Sequence, residues 1–188
     1  LKLLKPHQKH WPRHSLEQPI QTPKTKGNGK LRAQIKQALA LLKDAGWQIK
    51  INALTHQVSG KAFTFELLIR QSGLKRVILP FLKNLKRIGI FGELRLIDAS
   101  QYKTRIDNFD FDMMTFVLSQ GNAPSYEQRD YFHSSTANTP GSQNYAGIQN
   151  PLVDTLIENV LLSQTRSSLV TAMRALDRVL LANHYIVP

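Results

Sequence analysis

The middle of the sequence alternates between the hydrophobic period of a strand and that of a helix, and this alternation restricts the fold more than any other feature. Apolar residues at every second position, Phe63, Phe65, Leu67 and Ile69, predict a strand over 63–69, and two further strands are predicted over 91–97 and 111–118. Apolar residues spaced by three and four predict a helix over 74–88. Asp98 is typical of an N-cap and opens a second, short helix. Parallel strands joined by helices need right-handed crossovers, so the pattern predicts an α/β fold with a mainly parallel sheet flanked by helices.

Further elements are predicted on both sides of this region. A helix over 30–45 has one apolar stripe and is stopped by Gly46. Another, over 151–163, starts at Asn150-Pro151, where the asparagine caps the helix and the proline fits its first position. A last helix is predicted over 166–183. The final residues, HYIVP, are predicted to form one more strand.

The formal net charge of +12 is unevenly distributed along the chain. Residues 1–50 hold 11 Lys and Arg against two acidic residues, whereas 51–188 hold 14 against 11. Prolines and glycines interrupt residues 1–29, so we expect an extended basic arm there and an α/β lobe over 30–188. A nucleic-acid-binding protein is the alternative interpretation of this charge.

Candidate catalytic and metal-binding patterns are weak. His7, His10 and His14 have metal-like spacing, but the prolines around them argue against a helix that would align them. Asp110 and Asp112 lie one strand period apart without a third group to complete a site. No nucleophile elbow, phosphate loop or dinucleotide fingerprint is present, and without cysteine there are neither disulfides nor thiolate ligands. We therefore expect neither an enzyme nor a cofactor; a hydrolase of unknown type is the remaining enzymatic alternative.

A polar loop, SQGNAPSYEQRDYF over 119–132, follows the third predicted strand. In open α/β sheets ligands collect outside the carboxyl ends of the strands, where loops present backbone and amide groups. The loop is therefore the main candidate for a binding site.

Seven segments, in this order and at this spacing, resemble the bacterial extracellular solute-binding proteins of family 5, and especially the branch that binds microcin C and oligopeptides. They are ALALLKDAGW, FTFELLI, RVILPFLKNLKRIGI, FDFDMM, EQRDYFHSS, TPGSQNYAGIQNPLVDTLIE and RALDRVLLANHYIVP. The resemblance implies the carboxyl-terminal lobe of a type II (cluster C) periplasmic binding protein, whose partner lobe is missing from this chain. It also implies a monomeric periplasmic protein that binds peptides or peptide-like solutes and delivers them to an ABC permease in the inner membrane, with no part for nucleic acid.

The resemblance also places the ligand contacts. The segment that follows the third strand and three outer positions supply them: Thr115, Leu118, Ser119, Gln120, Gly121, Asn122, Glu127, Gln128, Arg129, Asn144 and Tyr145. Family members often have tryptophan where Leu118 stands, and peptide binders have an acidic residue where Gly121 stands. The contact to a ligand ammonium is thus absent at Gly121, and Glu127 is the expected electrostatic substitute.

Overall fold

A computed structural model describes residues 23–25, 27–121 and 123–187, which form two compact units. The sheet unit comprises Pro23–Ile106 and Asp110–Val117, and the helical unit comprises Asp107–Phe109 and Leu118–Pro188 within the described residues. The histidines at positions 7, 10 and 14 and most of the expected arm lie outside the described residues.

The sheet unit alternates helices and strands, as the hydrophobic periods predict. Its elements are α1 (Arg32–Asp44), β1 (Trp47–Lys50), β2 (Ala53–His56), β3 (Thr64–Ile69), α2 (Lys75–Lys86), β4 (Phe91–Leu96), α3 (Ala99–Asp107) and β5 (Met113–Met114). The Asp98 carboxylate caps α3, accepting hydrogen bonds from the backbone N–H groups of Ser100 and Gln101.

Strand β3 is the centre of a three-stranded parallel sheet of order β4-β3-β5. Leu67, Leu68 and Ile69 on this strand are almost completely buried, as expected where a parallel strand is covered on both faces. One core cluster joins β3 to Ile78 and Leu82 of α2. A second cluster packs α1 and the antiparallel β1–β2 hairpin against the end of α2.

The helical unit contains α4 (Glu127–Phe132), α5 (Pro151–Leu161) and α6 (Arg166–Ala182). Helix α5 begins as the sequence predicts, because the Asn150 side chain accepts a hydrogen bond from the Leu152 N–H at 3.0 Å and Pro151 occupies the first turn. Val153, Leu156 and Ile157 of α5 pack against α6 in a single cluster that excludes water.

Two sequence-based predictions about elements are wrong, and one hairpin was missed. The strand predicted over 111–118 pairs with β3 only at Met113 and Met114, after which the chain leaves the sheet. Residues 184–187 form no strand, because the chain turns after α6 and finds no pairing partner within the described residues. The β1–β2 hairpin was not predicted, since its strands have only four residues each and carry polar side chains.

Candidate ligand-binding segment

The residues from Thr115 to Gly121, which we call the tip segment, follow the carboxyl end of β5 without further strand pairing. The side chains of Phe116, Val117 and Leu118 are exposed, as are those of the next three residues. The chain passes from the sheet unit to the helical unit between Val117 and Leu118.

Two buried tyrosines bond backbone carbonyl oxygens of the tip segment. In the sheet unit, the Tyr102 hydroxyl donates a hydrogen bond to the Thr115 carbonyl oxygen at 3.1 Å. In the helical unit, the Tyr131 hydroxyl donates to the Ser119 carbonyl oxygen at 2.8 Å. Both tyrosines are only 7% exposed. These bonds restrict a backbone that no sheet pairing holds, and such restriction lowers the conformational entropy lost when a ligand binds.

Neither tyrosine is among the sequence-predicted site residues. A tyrosine that bonds a backbone carbonyl 12 or 13 positions away gives no local signal, so sequence patterns could not have identified this role. Their only signal is position, since Tyr131 lies in the polar loop and Tyr102 in the helix before the third strand.

The three predicted residues on α4 have different surroundings. The Glu127 carboxylate accepts a hydrogen bond from the Ser125 N–H at 2.9 Å and stabilises the helix start. Gln128 is 1% exposed, and its side-chain nitrogen has no hydrogen-bond partner among the described residues. A buried donor left unpaired is unfavourable by about 1–3 kcal/mol. Gln128 therefore has hydrogen-bonding capacity that the described fold does not use.

Arg129 pairs with Glu158, which is not among the predicted site residues. Its guanidinium group donates to both carboxylate oxygens of Glu158, with the shortest N–O distances at 2.6 Å. The hydrogen bond to Glu158 raises the pKa of Arg129 above its ordinary value. The guanidinium also lies 5.8 Å from the ring centroid of Tyr126. Arg129 thus links α4 to α5, an interaction between positions 29 residues apart.

Asn144 and Tyr145 lie in the loop before α5. Asn144 is completely buried, and its amide nitrogen donates to the carbonyl oxygens of His133 and Ile148 at 3.1 and 3.0 Å. Its oxygen accepts from the Ile148 N–H at 2.9 Å. Tyr145 is half-buried.

The structure therefore places the predicted residues in different settings. Thr115 belongs to the sheet unit, and Asn122 lies outside the described residues. The others belong to the helical unit. Within that unit, the Tyr131 hydrogen bond connects Ser119 to α4, and the Asn144 amide connects the loop to the residue after α4.

Within the described residues, no three His, Asp or Glu side chains are grouped so that they could hold a metal ion. In the same part of the chain, no helix combines the length and the apolar character needed to cross a membrane.

Residues 6–140 match the family described as bacterial extracellular solute-binding proteins, family 5, middle region, so the chain belongs to this family. A probable peptide-binding protein YejA of Agrobacterium fabrum is 43% identical over 85% of this chain and 26% of its own length. Peptidoglycan-binding protein YepA of the same organism is 36% identical over 88% of this chain and 27% of its own length.

The fold agrees with this assignment. The oligopeptide-binding protein AppA of Bacillus subtilis, solved with a nonapeptide, superimposes with a TM-score of 0.71 and 25% identity over 93% of this chain. The chain matches 32% of the AppA chain and 26–27% of the two relatives, so it spans about a third or less of each. The parallel sheet flanked by helices is that of the type II periplasmic binding proteins.

Proposed function

We propose that this chain forms one side of the ligand cleft in the substrate-binding component of an ABC importer. The ligand is a peptide or a peptide-like solute, and the bound form delivers it to a permease in the inner membrane. The protein acts in the periplasm as a monomer, without nucleic acid and without catalysis. Family membership supports this proposal, as do the peptide named for AppA and the probable peptide binding named for YejA.

The observation that carries the proposal is the tip segment. Its backbone follows a parallel strand without continuing the sheet, its side chains from Phe116 to Gln120 are exposed, and buried tyrosines bond its Thr115 and Ser119 carbonyl oxygens. An extended peptide can pair with such a backbone through main-chain hydrogen bonds, which are the same for every peptide sequence. Binding of this kind gives affinity with little dependence on ligand side chains.

The ligand contacts proposed for the tip segment are Thr115, Leu118, Ser119, Gln120, Gly121 and Asn122. Gln128 is proposed as an outer residue, and its buried N–H donor, which has no partner in the described fold, supports this proposal. Glu127, Arg129, Asn144 and Tyr145 complete the proposed set. Among them, Arg129 and Asn144 already bond groups of the protein and would act by holding the helical unit in shape.

The opposite side of the cleft is proposed to lie in a second lobe outside this chain, since the matched relatives are several times longer. Closure of two lobes over a ligand stabilises the closed state by the difference in affinity between closed and open forms. One lobe alone provides only part of the contacts, so its affinity is expected to be low.

A chimera tests this proposal. The matched segment of Agrobacterium fabrum YejA is replaced by the corresponding segment of this chain, and melting is followed with and without a pool of short peptides. A ligand at 100 times its Kd stabilises the binding form by about 2.7 kcal/mol, so the melting temperature should rise. The 188-residue chain alone should show almost no shift. A folded chimera that no peptide stabilises, beside a parent protein that peptides do stabilise, would refute the proposal.

A further inference from the structure

From residue 23 onward, the excess of positive charge belongs to one of the two units. Residues 23–106 and 110–117, the sheet unit, contain 17 Lys and Arg against six Asp and Glu. In the helical unit, residues 107–109 and 118–188 contain four against six. Residues 51–188 as a whole have nearly balanced charge because they include a basic unit and a slightly acidic one.

Helix α2 is the most strongly basic element of the sheet unit. No acidic residue occurs between Glu66 and Glu93, whereas six Lys and Arg do. Five of these are exposed and lie on α2 or at its C-cap: Lys75, Arg76, Lys83, Lys86 and Arg87. None of the five belongs to an ion pair found within residues 23–25, 27–121 and 123–187.

The helix dipole favours the cations of the last turn, Lys83 and Lys86, so helix stability explains part of this arrangement but not the cations of the first turn. Lys75 and Arg76 lie in the first turn, where the helix dipole disfavours cations. Lys83 has like charges three and four residues further on, at Lys86 and Arg87, and such pairs repel each other. The exposed side chains of Val77 and Leu79 lie among these cations. The surface combines unpaired positive charge with apolar groups.

The tip of the β1–β2 hairpin is the second unexplained feature. Ile51 is completely exposed and has φ of 48°, and the following Asn52 has φ of 66°. Two positive φ values between paired strands define a type I′ turn, which favours asparagine and glycine. A β-branched residue in this conformation is strained. An apolar residue that is both strained and fully exposed contributes nothing evident to the fold.

The hairpin tip lies beside the basic end of α2. The Leu54 N–H donates a hydrogen bond to the Gly89 carbonyl oxygen at 2.7 Å. A Cβ on Gly89 would be 3.1 Å from the carbonyl carbon of Ala53, two residues from Ile51. Lys50 directly precedes the tip and is exposed. The strained apolar residue and the carboxyl-terminal cations of α2 therefore belong to one region of the sheet unit.

We propose that this region docks on an anionic phospholipid bilayer. The Ile51 side chain enters the interface between headgroups and acyl chains, while Lys83, Lys86 and Arg87 contact the lipid phosphates. A bilayer is favoured over an acidic protein because it accepts an apolar tip without a preformed pocket. It is favoured over nucleic acid because isoleucine cannot stack on bases. This docking does not depend on the ligand of the tip segment.

Vesicle flotation with the complete 188-residue chain tests the proposal. The chain should float with phosphatidylcholine vesicles that contain about one third phosphatidylglycerol, should not float with phosphatidylcholine alone, and should bind less as salt rises. A triple variant, Lys83→Gln with Lys86→Gln and Arg87→Gln, should lose binding on the order of 100-fold, since each cation contributes about fivefold.

A matched triple variant serves as the control. Arg70→Gln with Arg166→Gln and Arg174→Gln removes the same charge from exposed positions elsewhere. Its binding should fall no more than a few-fold. Equal losses in the two triple variants would show that net charge, not this region, drives binding, and would overturn the proposal.

Ile51→Gly distinguishes a loss of vesicle binding from a loss of stability, because it should weaken vesicle binding and raise the melting temperature. Glycine accepts positive φ without strain, so the melting temperature should rise. Loss of the Ile51 side chain should weaken vesicle binding by about tenfold. Unchanged vesicle binding in this variant would overturn the proposal, as would failure of the unaltered chain to bind anionic vesicles while it binds an acidic protein or DNA.

Discussion

Asn144 hydrogen-bonds three backbone groups, and the two that belong to Ile148 are buried. Its carboxamide bonds His133 at the end of α4 and both the N–H and the C=O of Ile148 before α5. The residue is completely buried, so water cannot replace these bonds. Asn144 therefore stabilises the loop between α4 and α5, which also carries Tyr145.

Asn144→Ala is predicted to destabilise the protein by about 2–3 kcal/mol, because it leaves the buried N–H and C=O of Ile148 without this partner. Urea unfolding followed by circular dichroism measures the change. Asn138→Ala, at an exposed position, is the matched control and should change stability by less than about 0.5 kcal/mol. A loss below 0.5 kcal/mol for Asn144→Ala would show that these hydrogen bonds do not stabilise the fold.

Glu66 shows how one charged side chain connects three elements of the sheet unit. It lies on β3, and its carboxylate pairs with Arg95 of β4 at 2.6 Å and with Arg105 of α3 at 2.8 Å. The hydrogen bond from Arg95 is the main reason why the pKa of Glu66 lies below its ordinary value of 4.5, and Arg105 contributes in the same direction. Burial opposes this shift but does not outweigh it.

Glu66→Gln is predicted to destabilise the protein by about 1 kcal/mol at neutral pH. Because the folded-state pKa is lowered, the stabilisation by Glu66 is present above the unfolded pKa and is lost as pH falls through the folded value. The difference between wild type and variant, measured by urea unfolding, should therefore shrink below about pH 4.5. A difference that stays constant from neutral to acidic pH would contradict this assignment.

Gly92 of β4 lies where a side chain would collide with neighbouring side chains. A Cβ there would lie 2.5 Å from Leu82 of α2 and 2.6 Å from the ring of Phe65. Gly92→Ala is predicted to destabilise the protein by about 1–3 kcal/mol through overpacking. Gly73→Ala adds the same methyl group where nothing lies within 4 Å, and should be nearly neutral. Thermal or urea unfolding of both variants distinguishes packing from a general effect of replacing glycine.

Elements with long, clear hydrophobic periods could be predicted from the sequence. Helices α1, α2, α5 and α6 and strands β3 and β4 lie within two residues of their predicted bounds. Helix α4 was missed because it is a six-residue, largely polar segment without a visible period. Strand β5 was predicted too long because its apolar residues continue after pairing with β3 has ended.

The sequence supports a proposal for the region of the candidate site, which stays a prediction, but not for its contacts. The end of a parallel strand followed by a polar loop indicates a binding edge, and this placed the tip segment. The tyrosine bonds to Thr115 and Ser119, and the pairing of Arg129 with Glu158, join positions far apart in the chain. Such pairs depend on how the elements pack, which no local pattern specifies.

The whole chain combines two surfaces with different proposed partners. The tip segment offers an exposed, tethered backbone for a peptide. The sheet unit also carries the basic α2 surface and the strained Ile51 in the β1–β2 turn, which are proposed to contact anionic lipid. A substrate-binding component that approaches its permease along a membrane would use both surfaces, and the two experiments test them separately.

Amide hydrogen exchange of the YejA chimera tests the central claim most directly. Addition of the peptide that stabilises the chimera should slow exchange of the amides between residues 115 and 121, because main-chain bonds to the ligand protect them. Exchange in the buried turns of α6, Ala172 to Val179, should not respond in the same way. Peptide binding that leaves the amides of residues 115 to 121 unprotected would show that the tip segment is not the ligand-binding backbone.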